Sequence, residues 1–535
     1  MTGESRKWGL PTALPWIIVL VAIIVGYLPM LPPAVANATS ASSSFSAERA
    51  GEHVSVIAAR PHPLGSTAIS EVRSYLENEL SALDIEFTTQ TIARPNPFVP
   101  NQTAQIVNVI ARLPGDDSTG AIAFIAHYDT VPETPGANDN TAAVATLLEV
   151  GRALQAEAPQ RNDVYLLFTD SEEPSQRYGS TAFVAEHPAF DEIALAVNLE
   201  ATGHAGASLL VEVSGPERWL VSELDSSGAH PVAFSFATET TRWIGDIGTD
   251  FDIFRNEGVP GFHFVYQHGS SIYHLPADNV AALGARSMQH HGSQSLAVAR
   301  HFGNLDLGGP IPSGGAVFFV AFGQLVLYPT SLAIPLLALA LAVLLPGMLR
   351  RRPSPGRLGV GFGITFAVLA LATLAWFAIT SLRSTLGLVE GYVYFSAISV
   401  LAAVSIARAN RRLRPEDEPE GFGVWAALVV LAALTALFAR GFSYLFAWPL
   451  LAVGIAVWIP GHAHWQRLAR FTLAAVVTIV LLVPAADTFL QFAHPRPGNP
   501  DSNLPAASLI PFGLTLLAIG VARSFWPSAA GRENR

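Results

Sequence analysis

The chain has 535 residues, half of them apolar and only 14% charged, where ordinary soluble domains carry about 25% charged residues. Its net charge of −11 excludes the basic surface that a nucleic-acid binder presents. It contains no cysteine, so disulfides, thiolate metal ligands and cysteine nucleophiles are excluded, and any metal must be held by His, Asp or Glu.

Taken in chain order, the first apolar run covers about Leu14 to Leu31 and follows Arg6 and Lys7. It is long enough for one helical crossing, which needs about 20 residues. Ala34-Val35-Ala36 resembles a cleavage site, but the run exceeds the signal-peptide core of about 7–15 residues. Residues 1–44 are therefore expected to form a short cytoplasmic terminus and an uncleaved anchor.

From 45 to 310 the composition becomes that of a soluble domain. Strand-length apolar runs (Ile106–Leu113, Ile122–His127, Val164–Thr169, Leu195–Leu199, Leu209–Val213) alternate with helical patterns at Ala68–Leu83, Thr141–Leu154, Glu217–Ser227 and Ala281–His301. This alternation predicts an α/β domain: a mixed, mostly parallel sheet flanked by helices. His290 and His291 are expected on a surface helix.

After Pro310 the chain is apolar almost to its end. Seven spans are expected, at about 328–349, 358–382, 389–407, 422–439, 442–460, 471–491 and 506–522, with Ala316–Leu327 too short to cross and read as an interfacial lead-in. Residues 311–535 thus form a multi-span domain, in contact with membrane lipid. With the N-terminus inside, one side collects Arg6, Lys7, Arg350, Arg351, Arg352, Arg357, Arg408, Arg411, Arg412, Arg414, Arg467, Arg470, Arg523, Arg532 and Arg535. The other side has Arg383, Arg440 and Arg496. Cytoplasmic loops are the basic ones, so the α/β domain is expected outside the cytoplasm: across a bacterial plasma membrane, or lumenal in a eukaryote.

The chemistry gathers at the ends of the apolar strands, where open α/β sheets place their ligands. Ala121–Ala126 runs into His127-Tyr128-Asp129, and period-two spacing puts His127 and Asp129 on one side. An imidazole on a metal hands its other N–H to a carboxylate or carbonyl, which suits this pair. Asp139 follows in Gly136-Ala137-Asn138-Asp139-Asn140, where capping the next helix is the plainer use. Val164–Thr169 ends in Asp170-Ser171-Glu172-Glu173, two adjacent glutamates that a cation would help to ionise together. Ala194–Leu199 ends in Glu200, and His274 lies in Ser271–Asp278. Five successive segments each offer an acid or a histidine.

The stretches HYDTVPETPGANDNTAAVATLLE from His127, TDSEE ending at Glu173, NLEATG from Asn198 and YHLPADN from Tyr273 together resemble metallopeptidase family 28, the co-catalytic zinc exopeptidases. The layout of spans resembles the family's membrane-tethered branch of endoplasmic-reticulum and vacuolar proteases. The resemblance implies two zinc ions per chain bridged by Asp139, one completed by His127 and Glu200, the other by Glu173 and His274. It implies Glu172 as general base and Asp129 as the residue that orients His127. Where the family often continues Gly-Leu-x-Gly-Ser after the paired glutamates, this chain reads Pro174-Ser175-Gln176-Arg177-Tyr178-Gly179-Ser180. The implied activity is a membrane-anchored aminopeptidase acting on peptides or proteins. The alternatives are a glutaminyl-cyclase-like acyltransferase and a non-enzymatic membrane scaffold or transporter with a binding domain.

Overall fold

The structure is a computed structural model that describes residues 10–350 and 422–492, apart from 462, with scattered positions between 356 and 378. The first helix, α1 (Leu10–Tyr27), precedes α2 (Ala47–Ile57) and α3 (Thr67–Ala82). Ser46 and Ser66 cap α2 and α3 by accepting the Arg49 and Ile69 amide protons, satisfying donors that a helix start leaves orphaned. The chain then alternates through β1 (Glu86–Pro95), β2 (Thr103–Leu113), β3 (Ala121–His127), α4 (Ala143–Gln155), β4 (Val164–Thr169), α5 (Tyr178–Glu186) and β5 (Ile193–Ala201). There follow β6 (Leu209–Ser214), α6 (Glu217–Ser226), β7 (Val232–Ala233), α7 (Ser235–Ile244), α8 (Asp250–Asn256), β8 (Gly261–Tyr266) and α9 (Ala285–Phe302).

One eight-stranded sheet runs β1-β2-β4-β3-β5-β8-β6-β7. Its centre, β4-β3-β5-β8, is parallel throughout, while β1, β2 and the β6–β8 pairing are antiparallel. Both faces are covered. Ile122, Phe124 and Ala126 point into a core shared with α2, α4 and α9, and Ala121, Ala123 and Ile125 point into a second core with Phe183 of α5 and Phe254 of α8. Two-sided burial is why β3 and β4 read as unbroken apolar runs. The four parallel strands end on the same edge, and that edge carries the site.

Two expectations are corrected. Ala316–Leu327 is not a lead-in to the membrane but a hairpin, β9 (Ala316–Ala321) with β10 (Gln324–Pro329). Its two-residue turn has positive φ at both Phe322 and Gly323, the geometry that matches strand twist. And α9 is no surface helix at His290 and His291, because both rings are buried against Ser208 of the sheet.

Beyond the hairpin come α10 (Ala333–Leu349), α11 (Phe422–Phe438), α12 (Tyr444–Trp458) and α13 (His464–Phe492). Among the described residues three helices are long and apolar enough to cross a membrane: Ala13–Met30, Thr330–Leu349 and His464–Phe489. Three of the eight expected spans thus coincide with helices of crossing length among the described residues. The spans expected at 422–439 and 442–460 are helices of 17 and 15 residues; at 1.5 Å per residue these are shorter than the roughly 30 Å hydrocarbon layer. Those expected at 358–382, 389–407 and 506–522 fall outside the continuously described residues. Helix α1 packs on α13, and α10 on α12. The turn between α11 and α12 touches the α/β domain, where the Ser235 hydroxyl donates to the Gly441 carbonyl at 2.8 Å. Phe236 stacks on Phe489 and Phe319 on Tyr444, so the two parts share one apolar seam.

Candidate metal centre

His127 is the last residue of β3, and Glu200 is the next-to-last of β5. Glu172 and Glu173 follow β4, Asp139 lies in the turn before α4, and His274 follows β8. All seven residues singled out from the sequence lie on the one sheet edge. Three overlapping sets have ligand atoms within 4.8 Å of one another: His127, Asp139 and Glu200; Asp139, Glu173 and His274; His127, Glu172 and Glu173. His127 Nε2 is 3.4 Å from Asp139 Oδ1 and 3.5 Å from Glu200 Oε2. His274 Nε2 is 3.3 Å from Asp139 Oδ2 and 2.7 Å from Glu173 Oε1. Asp139 thus offers one oxygen to each histidine.

Most of these residues are placed by others. Asp129 does more than face His127. Its carbonyl oxygen takes the His127 Nδ1 proton at 3.1 Å, while its carboxylate, 3.5 Å from that nitrogen, accepts the Glu172 and Glu173 amide protons at 3.0 and 3.1 Å. One buried acid therefore sets both the imidazole and the glutamate loop. Asp139 is held by Asp278, whose carboxylate accepts the Asn138 and Asp139 amide protons and the Asn138 side-chain amide. Glu200 is held through its carbonyl, which faces His291 Nε2 at 3.1 Å, with Ser208 on the other nitrogen of that ring. Asp250 is buried and accepts from Thr169 at the end of β4. The supporting roles of Asp278, His291 and Asp250 were not read from sequence. Asp278 lay within a quoted motif, but nothing local shows that it binds backbone amides some 140 residues away.

The electrostatics are those of a site built for cations. Burial raises Glu172 well above its ordinary range, and it raises Glu173 and, to about 7, Glu200. Burial opposes charge on both histidines, yet the surrounding carboxylates outweigh it: His127 is raised well above its usual value and His274 to about 10. The same imidazoles overcome burial at Asp139 and lower it. Buried polar atoms are ordinarily hydrogen-bonded, but Asp139 Oδ2 and His274 Nε2 meet only at ion-pair distance and outside hydrogen-bond geometry. Carboxylate and imidazole in this number suit zinc, with positions left for water and substrate. The residues fit a metal.

The model of Peptidase family M28 matches residues 108–299, the segment that contains β3 to β5, β8 and every candidate ligand above. The chain is similar to endoplasmic reticulum metallopeptidase 1 of Mus musculus, 32% identical over 52% of this chain and 33% of that protein. It is also similar to the vacuolar membrane protease of Candida tropicalis, 31% identical over 45% and 27%. It spans about a third of the length of these curated relatives. Solved structures of a zinc aminopeptidase from Bacillus subtilis (15% identical, TM-score 0.39, 48% of this chain and 95% of that one) and of a glutaminyl cyclase from Porphyromonas gingivalis (18%, 0.37, 47% and 96%) are similar as well.

Proposed function

We propose that this chain is a membrane-anchored, zinc-dependent exopeptidase of aminopeptidase type, hydrolysing peptides outside the cytoplasm with two zinc ions. The observation that carries the reading is the sharing of Asp139 between the His127–Glu200 set and the Glu173–His274 set. In this reading His127, Asp139 and Glu200 hold one ion, and Asp139, Glu173 and His274 the other. Bound zinc supplies Lewis acidity, acidifying water and polarising the scissile carbonyl. Glu172 is the general base: it takes a proton from the attacking water and returns it to the leaving amine. Its burial supports the role, since a raised carboxyl lies nearer the working pH. Asp129 keeps the base and the His127 ring in register. The division into residues 1–44, 45–310 and 311–535 belongs to the same reading, with the peptidase domain on the side of the membrane met by the α11–α12 turn.

The test uses the full chain in detergent, assayed for zinc content and for hydrolysis of aminoacyl amides and their N-acetylated counterparts. About two zinc ions, hydrolysis of the free-amine substrates and its loss in Glu172→Ala with zinc retained support the proposal. One zinc with cyclisation of N-terminal glutamine would favour the acyltransferase. Neither zinc nor turnover would leave a binding domain on a scaffold.

A further inference from the structure

Helix α13 is apolar along the span His464–Phe489, yet it carries Asp487 near its outer end. A carboxylate within a membrane helix is costly, and where it occurs it has a partner and a task. The partner lies in the peptidase domain: His268 Nε2 donates to Asp487 Oδ2 at 2.9 Å. The Gln491 amide, one turn further on, donates to the same oxygen at 2.7 Å. Side-chain exposure is 20% at His268 and 11% at Asp487, so water competes little for the bond.

His268 stands where two ligand-bearing loops meet. Its amide donates to the Ala205 carbonyl, and its carbonyl accepts from the His204 and Ala205 amides. His204 faces the Gly269 carbonyl through Nδ1 at 3.0 Å. The 204–205 strip is the continuation of β5 past Glu200; the 268–274 strip is the continuation of β8 to His274. The two strips are thus tied to each other, and the tie is fastened to the membrane bundle at one point.

We propose that Asp487 is a positioning residue for the metal centre: through His268 it holds the paired loops that carry Glu200 and His274, so the membrane bundle is a structural part of the peptidase site and not only its tether. The inference rests on the metal-peptidase reading for its consequence, but the loop clamp can be tested without it. Groups that fix metal ligands from behind are worth about 10- to 100-fold in metal affinity when removed.

The experiment uses the full chain in detergent. Asp487→Leu suits an apolar helix and leaves the bundle folded, while Asp487→Asn keeps an oxygen for the His268 proton. Hydrogen exchange of the 268–275 amides is measured in metal-free protein, and zinc retention is measured against a chelator. The expected result is faster exchange confined to these loops in Asp487→Leu, with zinc held about tenfold less tightly, and near-normal behaviour in Asp487→Asn. His268→Leu should match Asp487→Leu, and the double variant should be no worse than either, as for two residues in one interaction. Glu239→Gln, which alters a different bundle contact at Gly441, should change neither readout. Wild-type exchange in Asp487→Leu, or faster exchange without weaker zinc binding, overturns the proposal. If the wild type binds no zinc, the metal-peptidase reading falls, and exchange alone decides whether the clamp exists.

Discussion

The metal centre and the membrane bundle are held together by opposite means. Around the candidate metal centre, buried carboxylates fix the candidate ligands by gripping backbone: Asp278 on the amides of Asn138 and Asp139, and Asp129 on those of Glu172 and Glu173. In the bundle the helices meet at glycines. A Cβ at Gly26 of α1 would lie 3.1 Å from the Val480 Cα of α13, and one at Gly454 of α12 would lie 3.2 Å from the Leu344 nitrogen of α10. Lipid is as apolar as the side chains, so helices there are sorted by close packing. A metal needs ligand atoms held in place by directional bonds. Charge changes should therefore break the first region, and volume changes the second.

The largest effect is expected at the acid shared by both metal sets. Asp139→Ala should empty the site of zinc and lower kcat/KM by roughly a thousandfold, the equivalent of several kcal/mol of lost charge stabilisation. Retained zinc and turnover in that variant would break the comparison at its centre. The pH response sharpens it. His274, raised to about 10 by Asp139 and Glu173 against the opposing effect of burial, is protonated at neutral pH without metal. Zinc takes the neutral ring, so uptake must release protons, and affinity should climb about tenfold per pH unit for each proton released. Calorimetry in two buffers of different ionisation enthalpy checks this, and equal heats would contradict it.

A smaller loss is expected one layer out. Asp278→Ala leaves the Asn138 and Asp139 amides without their acceptor and should weaken zinc binding by about 10- to 100-fold, read by chelator competition, while the fold survives. The smallest effect belongs to the bundle. Gly26→Leu overpacks the α1–α13 contact and should destabilise the chain by about 1–3 kcal/mol, seen as a lower unfolding midpoint, with zinc content unchanged. Zinc loss in Gly26→Leu would mean that packing reaches the site by more routes than Asp487.

The strands that carry the ligands were legible because β3 and β4 are covered on both faces and so read as apolar runs ending in charge. β1 had no such run, since it is an edge strand with exposed residues along its length. The hairpin at Ala316–Pro329 was misread because it is apolar enough to resemble a lead-in, and only the turn at Phe322-Gly323 marked it. His290 and His291 looked like surface residues because burial of a polar ring depends on what packs over it, here Ser208 and Tyr266. Near the C-terminal spans, apolar composition showed membrane character but not helix length, which is why two expected crossings prove shorter.

By itself the sequence determined which residue types end each central strand, and its resemblance to a known family marked the candidate ligands from His127 to His274 and the candidate base Glu172. Strand period and apolar run length are local properties, and a few adjacent residues suffice to state them. Only the tertiary structure decided that Asp139 faces both histidines, that Asp129 and Asp278 grip backbone, and that Asp487 reaches His268. Those contacts join segments far apart in the chain, and hydrogen-bond geometry exists only once folding has brought both partners to one place.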